Sequence, residues 1–150
     1  MTAPECDATI HASAVLVGNH AVLIRGPSGS GKSRLAFDLI LAGRGGIIPP
    51  TLLIGDDRVH LSAADGAVVV RPAETLAGLL EVRGLGIRKV PFAGQGPVNV
   101  VVDLDADDSA RLPAATSLEA MINGIKCQRI PVGRGFAALP LVIAALITNA

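Results

Sequence analysis

Apolar positions along this chain fall into short runs divided by Gly, Pro and Asp, the pattern of strands and turns, with two stretches of helical spacing among them. Thr9 to Val17 alternates and predicts a strand. Gly18-Asn19-His20 reads as a turn into a second strand over 21–25, so the two form a hairpin. Arg34 to Leu41 carries helical periodicity and stops at Gly43-Arg44-Gly45-Gly46. After the linker Ile47-Ile48-Pro49-Pro50, Thr51 to Gly55 predicts a buried strand that ends in Asp56-Asp57. Val59–Ser62 and Ala67–Arg71 read as a hairpin around Ala64-Asp65-Gly66. Leu79 to Ile87 is an apolar run with charges inside it, read as one strand. Pro91 to Pro97 is a Gly/Pro loop, Val98 to Leu104 a strong strand, and Asp105 to Pro113 an acidic loop. Ile125 to Val132 predicts a strand, and Phe136 to Asn149 the last helix.

Strands alternating with helices predict an α/β fold, and the leading hairpin makes its sheet mixed rather than purely parallel. With 150 residues and neither a repeat nor a composition shift, one compact domain is expected over 1–150.

The candidate chemistry begins at Gly26-Pro27-Ser28-Gly29-Ser30-Gly31-Lys32-Ser33. This G-x-x-x-x-G-K-[ST] stretch sits between a predicted strand and a predicted helix, the context a phosphate-binding loop requires. Its glycines let backbone N–H groups turn inward around an anion, and the helix start adds its positive dipole end. Lys32 can reach terminal phosphates and the Ser33 hydroxyl can sit on Mg²⁺.

Asp56 and Asp57 stand at the end of the next apolar strand, where strand ends open onto the crevice beside such a loop. One carboxylate can serve Mg²⁺ and the other can take a proton from an attacking hydroxyl. Adjacent strand residues point to opposite sides, so the two need not share a role. Glu81 and Arg83, on one face of the 79–87 run, must be paired, solvated in a cleft or bound to a ligand. Gly84 and Gly86 beside them permit close backbone approach. His11 precedes the strand that feeds the loop. His20 and His60 read as structural, and Arg129 and Arg134 as solvated loop residues.

Composition narrows the classes. The 13 basic residues balance the 13 acidic ones, and the aromatic share is 2% with neither Trp nor Tyr. No basic patch or stacking platform for nucleic acid emerges. No signal peptide is evident, and the apolar run near the end is too short to span a bilayer, so a cytoplasmic protein away from membranes is expected. Cys6 and Cys127 lie far apart with no metal spacing around them and read as free thiols. On these residues alone three readings stand: a phosphoryl-transfer enzyme working through the Asp pair, a P-loop kinase of a small metabolite, and a non-catalytic ATP-sensing module. The scattered arginines offer no lid for the second, and the Asp pair exceeds what the third needs.

His11, the phosphate loop, the Leu53–Val59 segment with its Gly-Asp-Asp-Arg-Val, and Leu80–Val90 with Glu-Val-Arg-Gly-Leu-Gly-Ile follow one another in the order and spacing of a known family. Together they resemble the C-terminal catalytic domain of HPr kinase/phosphorylase, in the short form found in alphaproteobacteria, which lacks the N-terminal domain of full-length members. The resemblance implies a P-loop fold like that of phosphoenolpyruvate carboxykinase. It implies ATP and Mg²⁺ as donor and cofactor, a serine of the phosphocarrier protein HPr as acceptor, and reversal by inorganic phosphate to give pyrophosphate. It also implies a hexamer. By position, Gly26 to Ser33 bind the nucleotide. Asp56 is the general base, His11 and Arg83 assist it, and Ser33, Asp57 and Glu81 face the metal. Gly133-Arg134-Gly135 stands where the family carries a Pro-Gly-Arg-Asn element.

Overall fold

The computed structural model describes residues 9–149. Ten strands and two helices follow in the order β1 (Thr9–Val17), β2 (His20–Arg25), α1 (Lys32–Arg44), β3 (Thr51–Gly55), β4 (Arg58–Ala64), β5 (Ala67–Pro72), β6 (Leu79–Val82), β7 (Gly86–Lys89), β8 (Gly96–Leu104), β9 (Glu119–Ile122), β10 (Ile125–Val132) and α2 (Ala138–Ile147). Short 3₁₀ turns occupy Glu74–Leu76 and Ala115–Leu118.

The main sheet is mixed, as the leading hairpin predicts. β1 pairs antiparallel with β2 on one edge and β3 on the other. β2 pairs parallel with β8, β8 parallel with β10, and β10 antiparallel with β9. β2, β3, β8 and β10 therefore run the same way and end at the same rim. The β4–β5 hairpin leaves through the first residues of β1 and rejoins the sheet at the start of β8.

Two aliphatic cores form on the two faces. One packs Leu35, Leu39 and Ile40 of α1 and Val142 of α2 against Val15, Ile24, Val102 and Ile130 of the sheet. The other packs Val59, Val68 and Val70 of β4–β5 against Leu23, Ile54 and Val101. In α1 the buried residues recur at helical spacing, which puts one face on the sheet. The helix end closes on β3 so tightly that a Cβ at Gly43 would lie 2.7 Å from Thr51 Oγ1 and 2.8 Å from its backbone nitrogen.

The structure departs from the sequence reading in three places. The run 79–87 is a hairpin, β6–β7, because Gly84 and Gly86 take left-handed φ values of 98° and 97° and turn the chain. Arg83 therefore sits at the turn rather than beside Glu81 on one strand face. Strand β9 is additional: Asn123 and Gly124 have φ values of 49° and 79°, the two-residue Asn-Gly turn that joins it to β10. Gly96 and Pro97, read as loop, already pair with β5 at the start of β8.

Candidate active site

The loop from Gly26 to Gly31 joins β2 to α1 at the common rim of the parallel strands. Gly29 and Gly31 have φ values of 82° and 103°, with open space where a side chain would stand. Gly26 has the opposite surroundings: a Cβ there would fall 2.6 Å from Ser30 Oγ and 3.0 Å from Leu104 Cβ. Helix α1 begins without a side-chain cap, so its first N–H groups face the loop. Lys32 is only 8% exposed, and its Nζ donates to the carbonyls of Gly26 (2.9 Å) and Pro27 (3.2 Å). Ser30 Oγ is buried within the loop with no protein partner. Inward N–H groups, a held ammonium and an unpartnered hydroxyl form a cradle whose chemistry suits phosphate oxygens.

Beside this cradle, a bulge in β3 decides which aspartate faces it. Ala14 pairs with Gly55 but Val15 with Leu53, so Ile54 is the extra residue. Ile54 packs into the β4–β5 core, and a Cβ at Gly55 would meet Val59 in that same core. With both on one side, Asp56 turns back towards α1. It is 6% exposed and accepts three groups of hydrogen bonds. The Ser33 hydroxyl lies 2.7 and 2.9 Å from its two oxygens, the Ser13 hydroxyl 2.7 Å from Oδ1, and the Glu81 backbone N–H 3.0 Å from Oδ2.

Asp57 points the other way, into a cleft of about 1040 Å³ that it lines together with the phosphate loop, Glu81 and Arg83. Its φ is 69°, and the Arg58 N–H reaches back to the Asp56 carbonyl at 2.8 Å. That is a γ-turn with a left-handed central residue, a strained form that marks functional loops. Its carboxylate lies 3.3 Å from His11 Nδ1, and both side chains are more than half exposed. The other ring nitrogen of His11, Nε2, lies 3.3 Å from Arg58 Nη2, which can only donate. Nε2 is thus the acceptor, and Nδ1–H is left to donate to Asp57.

Of the residues singled out in the sequence, the structure brings Gly26–Ser33, Asp56, Asp57, Glu81, Arg83 and His11 to one rim. The expected metal set does not converge as drawn. Ser33 turns to Asp56, Asp57 turns to His11, and Glu81 touches the group through its backbone. Among the described residues no three His, Cys, Asp or Glu side chains gather as a metal-ligand cluster. A hydroxyl and a dry carboxylate beside a phosphate cradle nevertheless fit Mg²⁺, which takes one or two protein oxygens and completes its shell with phosphate and water.

The sequence reading missed Ser13, a lone buried hydroxyl in an apolar strand whose role shows only through its partner. It also missed a brace behind the loop. Arg25, the last residue of β2, sends Nε and Nη2 to the two Asp103 oxygens at 2.7 and 2.8 Å. Arg129, expected in a loop, lies in β10 at 15% exposure and binds Asp103 and Asp108 and, at 2.8 Å, the Ser117 carbonyl. Burial pushes the Asp103 carboxyl up, but the hydrogen bonds and charges of Arg25 and Arg129 outweigh it and hold it below the usual carboxylate range. The Arg129 hydrogen bond lowers Asp108 in the same way, and Arg129 is raised in turn. Arg134 stays 88% exposed, 4.0 Å from Asp105. Burial raises the Cys127 thiol, while Cys6 lies outside the described residues.

The sequence profile described as "HPr Serine kinase C-terminal domain" matches residues 4–149. The chain belongs to this family. Within the HPr Serine kinase C-terminal domain family, a relative named HPr kinase/phosphorylase from Mycoplasma mycoides subsp. mycoides SC is 31% identical over 151 residues, covering 91% of this chain and 46% of that protein. One of the same name from Bordetella pertussis is 44% identical over 80 residues, 53% of this chain and 24% of that protein. This chain thus spans less than half the length of these curated relatives. The solved Hpr(Ser) kinase/phosphatase from Coxiella burnetii superposes with a TM-score of 0.70 at 26% identity, covering 93% of each chain.

Proposed function

We propose that this domain transfers the γ-phosphoryl group of ATP to a serine hydroxyl of HPr and also runs the reverse, in which inorganic phosphate attacks phosphoserine and pyrophosphate forms. The observation that carries this reading is the division of the aspartate pair. One carboxylate is buried on the phosphate-loop serine, while its neighbour stands open in the same cleft against a histidine. Nucleotide binding alone needs only the first.

The roles of the two aspartates are exchanged relative to the expectation from position. Asp57 is the general base, since it has an open face to the cleft and can come within reach of an entering hydroxyl. His11 Nδ1–H holds its carboxylate in place, and Arg58 fixes the His11 tautomer. In the reverse direction the protonated Asp57 returns its proton to the leaving serine oxygen. Asp56 with Ser33 holds Mg²⁺, directly or through water, and Glu81 completes that wall. When bound, the metal neutralises charge on the phosphate oxygens. Lys32 leaves the Gly26 and Pro27 carbonyls for the transferring phosphate, where its charge counts most in the transition state. Arg83, at the β6–β7 turn, faces the acceptor side of the cleft.

The likeness to the phosphoenolpyruvate carboxykinase fold, the single catalytic domain, hexamer formation and a cytoplasmic location belong to the same reading. Among the described residues, no helix is long and apolar enough to cross a membrane.

The test is incubation of the protein with ATP, Mg²⁺ and HPr, mapping of the labelled residue, and then addition of phosphate. One labelled serine that is lost again with release of pyrophosphate is the expected result. Labelling of a metabolite with HPr untouched sinks the reading.

A further inference from the structure

The order of strands separates the two ends of the cleft. β3 lies on one side of β2, across β1, and β8 and β10 lie on the other. Asp57, Glu81 and Arg83 therefore flank the phosphate loop on the β3 side, and the segment 135–140 flanks it on the β10 side. In phosphoryl transfer the attacking and leaving oxygens stand roughly in line across phosphorus. With the acceptor hydroxyl at Asp57, the rest of the donor extends towards β10.

There the wall changes character, from carboxylates and an arginine to Leu104, Phe136, Leu139 and Pro140. Phe136 closes a tight turn, its N–H donating to the Gly133 carbonyl at 3.1 Å. Its ring lies across Gly133: a Cβ there would be 2.8 Å from Cδ2 and 3.1 Å from Cε2. Yet Phe136 is 71% exposed. The ring thus lies beside the Gly133 backbone, lines the cleft and leaves most of its surface open. Of the chain's 3 phenylalanines, Phe37 and Phe136 line this cleft, and Phe136 is the exposed one of the two.

We propose that the open face of Phe136 is the stacking platform for the base of the bound nucleotide. The inference rests on the phosphoryl-transfer reading of this cleft. Stacking needs only a π-face, so purine nucleotides of either kind are accepted and pyrimidine nucleotides bind less tightly. Gly133 is required to be small, because any side chain there would displace the ring.

The test compares Mg²⁺–ATP with Mg²⁺–tripolyphosphate, which offers the phosphates without a base, by calorimetry on the full chain. The wild type is expected to bind ATP more tightly than tripolyphosphate by the worth of the stack, roughly 5- to 150-fold. Phe136→Ala is expected to weaken ATP by roughly 5- to 150-fold, the worth of one base–aromatic stack. Tripolyphosphate binding should not change. Phe136→Leu, which keeps apolar bulk but lacks the π-face, should behave like the alanine variant, and Phe136→Trp should restore ATP. Equal weakening of both ligands, or no change in either, overturns the platform. A wild type that binds both ligands equally also overturns it while leaving the phosphate cradle intact. Failure of the wild type to bind either ligand removes the platform together with the reading beneath it.

Discussion

The Ser33 hydroxyl lies 2.7 and 2.9 Å from the two carboxylate oxygens of Asp56. The contact ties the first turn of α1 to the end of β3, and it leaves Asp56 with little capacity for an entering substrate. Ser13 and the Glu81 N–H occupy its remaining directions. Asp57, one residue on, has only the exposed His11 ring against its carboxylate and opens to the cleft.

Substitution of the two aspartates therefore separates two functions. Asp57→Asn should retain nucleotide affinity within about twofold and lower kcat by roughly 10²- to 10⁴-fold, the range for loss of a general base. Asp56→Asn should instead weaken Mg²⁺-dependent nucleotide binding and destabilise the fold by about 1–3 kcal/mol, because it disturbs three buried hydrogen-bond partners. Calorimetric ATP titrations with and without Mg²⁺, beside single-turnover transfer to HPr, distinguish the two. Full transfer by the Asp57 variant would remove it from the base role.

Lys32 has a different signature. It is buried to 8% exposure and held by two loop carbonyls, so it already stands at the cradle. Lys32→Ala should lose both nucleotide binding and transfer. The affinity for ATP should fall by roughly 10- to 150-fold, as expected when a charged hydrogen bond to phosphate is deleted. Inorganic pyrophosphate should weaken in parallel, since the same ammonium serves both. Unaltered pyrophosphate affinity in this variant would argue against a shared phosphate subsite.

Much of this arrangement was legible because it rests on local pattern. The strand–glycine loop–helix order, the hairpin at Gly18-Asn19 and the strand ending in Asp56-Asp57 each follow from residues close in sequence. Which aspartate faces α1 was not legible, because side-chain alternation fails at Ile54. Counting by twos from Leu53, which faces α1, puts Asp57 on the α1 side; the extra residue of the bulge puts Asp56 there. Nothing in the composition of Leu53-Ile54-Gly55 announces a bulge other than the glycine. The Arg25–Asp103–Arg129 brace was hidden for another reason: its members lie on three strands distant in sequence and meet only through the parallel pairing of β2, β8 and β10. The Asn123-Gly124 turn, by contrast, was a local hairpin signal that the reading passed over.

Metal removal should affect chemistry and leave the fold alone. The residues that fit Mg²⁺ are one hydroxyl and one carboxylate beside a phosphate cradle, too few to bind the ion tightly without nucleotide. EDTA should abolish transfer, while the thermal midpoint of the nucleotide-free protein should move by no more than about 1 °C. Mg²⁺ should raise that midpoint only when ATP or ADP is also present, because a ligand stabilises in proportion to its affinity for the folded state. A large drop with EDTA alone, followed by scanning fluorimetry, would reveal a structural metal instead.

Acid should loosen the sheet through Asp103. Its carboxyl is held below the usual value of about 4 by Arg25 and Arg129 against the opposing effect of burial. A carboxyl whose folded pKa is lowered contributes stability that is fully present above its unfolded pKa. That stability is lost as pH falls through the folded pKa. The contribution should thus be constant from about pH 7 to 5 and decline below about pH 4. Asp103→Asn removes it at every pH and leaves two arginines facing a neutral amide, so it should cost about 3 kcal/mol at neutral pH. The difference in stability between wild type and variant should then narrow below about pH 4, read from urea unfolding at pH 7, 5, 4 and 3. Because Arg25 immediately precedes Gly26, the same variant should also weaken nucleotide binding, and it should do so more at pH 7 than Lys126→Gln, a charge removal at an exposed ion pair away from the loop. A gap that stayed constant down to pH 3 would show that the brace does not depend on the Asp103 charge.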